Sequence, residues 1–446
     1  MYWVKLVTMG VLLSISAQIY AQPFSFQSDK SYEEFHFKSK GNLIFLPVVV
    51  NGVEMNFILD SGVNKTVILS LSKVDSLPLN HVEEMFLTGL GSKEPFKVVY
   101  SENNTIKIGN LVDTHHEVFI LIDEASDFSR FLGVEVHGII GYDILKDFIV
   151  EIDYDKELIR FYPEEKYKKR KKRKEVELPI EFFKRKPYVT AEVGLADKEL
   201  KQVTLLLDTG SSDAVWLFKS DTIQVTEPNF SDYLGVGLSG DIVGKRTKIP
   251  TFGLGGMFEL NEVKCAFPDT EYMINLKRDD YSNGSIGAEL LSRFLVTINY
   301  KEKWVRLRKG HHYKKPFYYN MSGIIVRHNG VRFVEEHISN GSRRYDQNAS
   351  QGVTNTVNYT SFFQEQVQYH LTEAIEIAEL REGSPAAIAG LRKGDVLLRI
   401  NNKVITNQSM EEIQELLNTK PGKKIKLLVN RGGEEMKFVF ILKKLL

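Results

Sequence analysis

The sequence predicts a mainly β chain: two duplicated lobes followed by a third, smaller β module with short helices. Three observations predict it. An internal repeat occupies most of the first 309 residues; short apolar runs closed by turn residues fill both copies; and a different turn-and-helix pattern takes over after residue 316. The length of 446 residues suits about three domains. An apolar content of 43% lets each bury an ordinary core.

The repeat emerges when the chain is compared with itself. Met55-Asn56-Phe57-Ile58-Leu59-Asp60-Ser61-Gly62 matches Val203-Thr204-Leu205-Leu206-Leu207-Asp208-Thr209-Gly210, and the aspartates lie 148 residues apart. Gly89-Leu90-Gly91 pairs with Gly235-Val236-Gly237, and Gly138-Ile139-Ile140-Gly141 with Gly284-Ser285-Ile286-Gly287, both at an offset of 146. A strand pair follows each Gly-x-x-Gly: Phe148–Tyr154 turning into Leu158–Phe161, and Phe294–Tyr300 turning into Trp304–Leu307. Ordered signals at nearly constant spacing mark a duplication.

Within each copy, runs such as Phe45–Val50 end in turn signals such as Asn51-Gly52, the pattern of strands. The runs before both aspartates are apolar throughout, as in strands buried on both faces. Short helices are expected only over Tyr142–Phe148 and Ala288–Phe294. The expected division is a leader over 1–21, a first lobe over 22–165, a linker over 166–174, a second lobe over 175–309 and the third module over 316–446. Eight of the nine linker residues, Lys166 to Lys174, are basic, which reads as a solvated, self-repelling connection. A polar insertion is expected near 339–360.

The leader consists of Lys5, an apolar run from Leu6 to Ile19, and Ala21 before Gln22-Pro23. That is the pattern of a cleaved secretion signal, and it predicts a periplasmic or secreted protein. No stable membrane span is expected once it is removed. Lys plus Arg and Asp plus Glu are both 58, so no global field favours nucleic acid or anionic lipid. Cys265, the lone cysteine, lies in a strand-like alternation and reads as a small buried hydrophobe; one cysteine excludes a thiolate-built zinc site. His115-His116 and His311-His312 lack a carboxylate at helical spacing and read as surface residues, so no metal is expected.

One Asp-Ser/Thr-Gly triplet is a weak signal, but two, each after an apolar strand in a repeat, point to chemistry. Two carboxylates sharing a proton activate water without metal or nucleophilic side chain, one as base and one as acid. Their mutual repulsion splits the titration into two steps. Duplication supplies the pair, Asp60 and Asp208, which can meet across a pseudo-two-fold axis. Gly62 and Gly210 let the backbone turn tightly beside the carboxylates. Ser61 and Thr209 supply hydroxyls able to lock the opposite lobe. Ser211 supplies a hydroxyl where the first copy has Val63. A hydroxyl bonded to a carboxylate favours its ionised form, so Asp208 is expected to ionise more readily and Asp60 to hold the proton.

These motifs resemble the two halves of a pepsin/retropepsin-like aspartic protease, over roughly residues 30 to 309. The resemblance implies that Ile139-Ile140-Gly141 and Ser285-Ile286-Gly287 run behind the catalytic loops. It also implies flap hairpins after Gly89-Leu90-Gly91 and Gly235-Val236-Gly237, and a peptide or unfolded protein as substrate, with no cofactor. No flap tyrosine of the pepsin kind is identifiable, and Tyr100 reads as a surface strand residue.

The C-terminal stretch Leu380–Leu391, leading into Lys393-Gly394-Asp395-Val396, resembles the PDZ signature of bacterial proteases. Pro385 suits a first helical turn and Gly390 a helix end. Ser409 and Glu412 form a capping box for a helix from Met410 to Leu417, and Gly432-Gly433 turns the last hairpin. PDZ domains bind extended peptides, often C-terminal ones, by adding a strand beside a helix. The implied carboxylate loop is Met321-Ser322-Gly323 leading into Ile324. The sequence as a whole reads as an aspartic endopeptidase using Asp60 and Asp208, with a PDZ domain that binds peptide or regulates access. The second reading is a non-catalytic extracytoplasmic peptide-binding protein.

Overall fold

The computed structural model describes residues 24–71, 74, 76–87, 96–121, 128–169, 174–195, 199–237, 240–269, 281–340, 364–405, 408–418 and 420–446. The leader, the tip of the first flap hairpin, Leu238-Ser239 of the second and most of the polar insertion lie outside these residues.

The described chain is mainly β, in four sheets. The two lobes repeat one topology. In the first, Leu43–Val50 and Val53–Leu59 form a hairpin whose turn, Asn51-Gly52, has both residues at positive φ (47° and 89°). That is the turn geometry whose twist matches paired strands. Gly138–Ile140 pairs parallel to Val53–Leu59 and antiparallel to Thr66–Ile68. In the second lobe Lys186–Gly194, Leu200–Leu207, Gly284–Ile286 and Val215–Leu217 repeat this order. The candidate flap hairpins are Val82–Leu87 with Phe96–Ile108, and Phe230–Gly237 with Gly240–Leu254; Gly235-Val236-Gly237 ends the first strand of the second hairpin instead of preceding it, and Gly89-Leu90-Gly91 lie outside the described residues.

A third sheet belongs to both lobes. Its order is Glu175–Pro179, Trp304–Lys309, Phe294–Asn299, Ile149–Asp153, Leu158–Tyr162 and Glu33–His36. At its centre Val150 faces Ile298 while Ile152 faces Val296. Each residue pairs with the repeat counterpart of its neighbour but one, so the pseudo-two-fold axis passes through the Glu151–Thr297 pair. One continuous apolar core runs through both lobes, and the C-terminal module has a separate core.

The short helices are shorter than expected, Tyr142–Leu145 and Ala288–Leu291. The residues after them are claimed by the interlobe sheet, where Phe148 and Phe294 bury their rings. In the basic linker, Lys166 bonds the carbonyls of Ser28 and Lys30, and Lys169 lies 5.0 Å from the Trp304 ring centroid. The N-terminal end of the linker is thus anchored on the lobes. In the C-terminal module Ser384 caps the helix Pro385–Ile388. The Ser409 amide donates to Glu412 at 2.8 Å and the Glu412 amide to Ser409 Oγ at 3.2 Å, the capping box expected for the helix Met410–Asn418. Among the described residues no helix is long and apolar enough to cross a membrane.

Candidate active site

Both aspartates sit where a buried strand ends against a glycine-rich crossing strand. The Asp60 amide donates to the Ile140 carbonyl at 2.9 Å and the Asp208 amide to the Ile286 carbonyl at 3.0 Å. The glycines of the crossing strands are sterically required. A Cβ at Gly141 would lie 1.9 Å from the Asp60 carbonyl oxygen, and one at Gly287 would lie 2.2 Å from the Asp213 carbonyl oxygen.

The two loops are bolted together by their hydroxyls. Ser61 Oγ donates to the Leu207 carbonyl at 2.6 Å and accepts from the Thr209 amide at 3.0 Å. Thr209 Oγ1 donates to the Leu59 carbonyl and accepts from the Ser61 amide, both at 2.9 Å. Both side chains are buried, with Ser61 at 0% and Thr209 at 1% exposure, so four hydrogen bonds operate without competition from water. This exchange carries the carboxylates to one point. A Cβ on Gly62 would lie 3.1 Å from Asp208 Cγ, and one on Gly210 would lie 2.2 Å from Asp60 Cγ. Gly62 donates its amide to Asp60 Oδ1 at 2.7 Å, and Gly210 to Asp208 Oδ1 at 3.0 Å.

The electrostatics follow from crowding two acids into one depression. Burial raises the pKa of Asp60, against the pull of the Gly62 N–H, the Lys186 charge and the Val63 N–H. Burial, then the charge of Asp60, pushes Asp208 well above the ordinary carboxylate range. Both shifts favour the neutral form, so the pair titrates as one unit rather than as two independent acids. Among the described residues no hydrogen bond joins Ser211 to Asp208, so the hydroxyl on which the expectation for Asp208 rested is not in place; two backbone amides, from Gly62 and Val63, favour the charge on Asp60, and one, from Gly210, favours that on Asp208.

Two residues at the site escaped the sequence reading. Strand register places Phe45 opposite Ile58 and Tyr188 opposite Leu206, two residues before each aspartate. Lys186 therefore stands where the first lobe has buried Leu43, and its charge acts on both carboxylates. Tyr300, buried at the end of an interlobe strand, donates its hydroxyl to the Ser61 carbonyl at 3.3 Å. Its repeat counterpart Tyr154 has a buried hydroxyl with no partner among the described residues. The paired tyrosines were visible in the repeat; their unequal roles were not.

The other candidates fall elsewhere. Cys265 is fully buried, and burial raises its thiol pKa well above the ordinary value. His116 is not the surface residue expected: it is buried, with Nδ1 2.7 Å from Asp113 Oδ2 and Nε2 2.7 Å from Thr66 Oγ1. His115, His311 and His312 are exposed. Tyr100 is half-buried against Phe119, ring centroids 5.2 Å apart.

In the C-terminal module, the loop expected to hold a peptide carboxylate has its amides occupied by its own chain. Met321 donates to Asn418 Oδ1 at 2.9 Å, and Ser322 and Gly323 both donate to Asn320 Oδ1 at 3.0 Å. Ile324 donates to Ser322 Oγ at 3.1 Å.

Residues 46–144 match the family model for an aspartyl protease, and residues 376–431 match that for a PDZ domain. Among curated proteins, a protein of Agrobacterium fabrum provisionally named a zinc metalloprotease is 35% identical over 65 residues, 15% of this chain and 17% of that protein. The chain thus spans less than a fifth of that relative's length. Among the described residues no three His, Cys, Asp or Glu side chains group to hold a metal ion. The sequence repeat, the paired loops and the two family matches lead to one description: the chain carries an aspartyl protease domain and a C-terminal PDZ domain.

Proposed function

We propose that the chain is an aspartic endopeptidase whose single active site is completed by the second lobe. The observation that carries this reading is the reciprocal exchange of the Ser61 and Thr209 hydroxyls, which holds two carboxylates within reach of one water. In this reading Asp60 is the ionised member and takes a proton from that water while its oxygen attacks the scissile carbonyl carbon. Asp208 donates the shared proton to the carbonyl oxygen, giving a neutral gem-diol. Return of a proton from Asp60 to the amide nitrogen breaks the C–N bond, and a diol proton restores Asp208. No cofactor takes part. The substrate is an extended peptide or unfolded protein, and the leader is read as directing the chain to the periplasm or outside the cell. The PDZ domain recruits peptide or controls access to the cleft.

The test is cleavage of an unfolded protein and a peptide library between about pH 3 and 8 by the wild type, Asp60→Asn and Asp208→Asn. Loss of cleavage in both variants, with no loss of thermal stability, supports the paired site. A wild type inactive throughout, or full activity in either variant, refutes it and favours a peptide-binding protein.

A further inference from the structure

The PDZ strand Ile324–Asn340 is the edge of its sheet, so one side of its backbone is open to an added strand. In this chain that side is taken. The helix Phe128–Leu132 of the first lobe packs against it. Arg130 Nε donates to the His328 carbonyl at 3.0 Å, and Arg130 Nη2 to Asn329 Oδ1 at 3.1 Å. Gly133, at φ 67°, packs so closely that a Cβ there would lie 3.0 Å from Met410 Cγ and 3.1 Å from His328 Nε2. Met410 begins the helix that forms the groove's other wall, and Lys40 of the first lobe pairs with Glu411 beside it at 2.6 Å.

The occupying segment touches the catalytic apparatus through Phe131 and Leu132. Phe131 stacks on Tyr233 of the second-lobe flap strand, centroids 6.0 Å apart and rings at 21°. A few residues further on, the chain becomes Gly138–Ile140, the strand behind Asp60. Gly41 lies between Leu132 and Ser212, with a Cβ 3.9 Å from each; Ser212 follows Asp208 by four residues. The PDZ domain also grips the flap directly. Arg381 lies 5.0 Å from the Phe230 ring centroid and 3.7 Å from Asp232. A cavity of ≈140 Å³ remains where flap, Gly323 and Arg381 meet.

We propose that the segment Phe128–Gly133 is a built-in occupant of the PDZ groove, and that an extended peptide adding to the Ile324–Asn340 edge displaces it and frees the substrate cleft. The PDZ domain is then a latch across first-lobe helix and second-lobe flap, released by peptide. The competition is direct, because Arg130 bonds the His328 carbonyl on the same edge strand to which the peptide would add. The proposal rests on the peptidase reading only for its second half.

The test uses the full chain with Gly133→Cys and Met410→Cys. A Cβ at 133 lies 3.2 Å from the Met410 Cβ, close to the roughly 3.5–4.5 Å that a disulfide spans. In an Asp208→Asn background, a library of displayed extended peptides is presented to oxidised and reduced protein. Peptides retained at least about tenfold better after reduction support the proposal; equal retention, or none by the reduced protein, overturns it. A side chain at the positive φ of Gly133 can compromise folding, so Arg130→Ala is the second variant, expected to retain peptides more tightly than wild type; unchanged retention overturns the proposal. With Asp208 restored, the oxidised form is expected to cleave at least about tenfold more slowly than the reduced, and equal rates refute the coupling. A wild type that cleaves nothing refutes the peptidase reading alone, since the retention arm needs no catalysis.

Discussion

Thr209→Val tests the lobe junction with almost no change of shape. The methyl that replaces the hydroxyl removes two buried hydrogen bonds, to the Leu59 carbonyl and from the Ser61 amide, each 2.9 Å long. Both partners remain, buried and unsatisfied. At about 1 kcal/mol for each of the two bonds, plus about 1–3 kcal/mol for the stranded partners, the loss is roughly 3–5 kcal/mol. For a unit as large as the joined lobes, that lowers Tm by about 5–10 °C. Catalysis suffers separately, because the loop holding Asp208 loses half its attachment to the loop holding Asp60. A shift of the order of 1 Å between reacting groups costs about 100-fold in kcat. The assay is thermal unfolding together with steady-state cleavage, with Thr209→Ser as the control that keeps the hydroxyl. A Thr209→Val protein melting within about 1 °C of wild type and cleaving at the same rate would refute the claim that these hydroxyls hold the dyad together.

Other predictions follow from the asymmetry between the lobes. Lys186→Leu, which copies the first lobe, removes a charge that lowers both carboxyl pKa values; both therefore rise, and both limbs of the kcat/KM–pH profile move to higher pH, read from initial rates across the profile. Tyr300→Phe costs about 1 kcal/mol by stranding the Ser61 carbonyl, whereas Tyr154→Phe is neutral or stabilising because it removes an unpartnered buried hydroxyl; denaturant melts of the two variants should diverge. Gly210→Ala abolishes cleavage, its methyl falling 2.2 Å from Asp60 Cγ, while Gly62→Ala, with its nearest atom at 3.1 Å, retains part of the activity. Asp208→Asn stabilises the fold at neutral pH. A carboxyl whose folded pKa is raised loses stability as pH climbs above its unfolded value, so the gain in Tm should shrink as pH falls toward the ordinary carboxylate range.

The duplicated architecture was legible because duplication writes itself in spacing: the aspartates, their glycines and the crossing strands are fixed by sterics that only those residues satisfy. The lock between Ser61 and Thr209 was legible for the same reason, since a loop hydroxyl beside each aspartate has one opposite loop to reach. Lys186 was not. Its equivalence to Leu43 depends on strand register, and the preceding hairpins share no sequence, Gly41-Asn42 in one lobe and Lys184-Arg185 in the other, though all four residues turn at positive φ. The expectation that Asp208 ionises first counted one hydroxyl and not the backbone amides that favour charge on both carboxylates. His116 was misplaced because its partners, Asp113 and Thr66, come together only through the sheet. The docking of Phe128–Gly133 on His328 and Met410 joins segments remote in sequence, and no local pattern encodes it.

The self-complementary pairing of Ile149–Asp153 with Phe294–Asn299 has an evolutionary consequence. A strand that pairs with its own copy about a two-fold axis is an interface that two identical half-length chains can form, so a functional ancestor needs only one lobe gene. Such a homodimer is bound to symmetry: any lysine beside one aspartate appears beside the other, and any tyrosine tuned to one loop is tuned to both. Fusion lifts that constraint. Lys186 in the place of Leu43 and the bonded Tyr300 in the place of the idle Tyr154 are differences that two copies of one chain cannot hold.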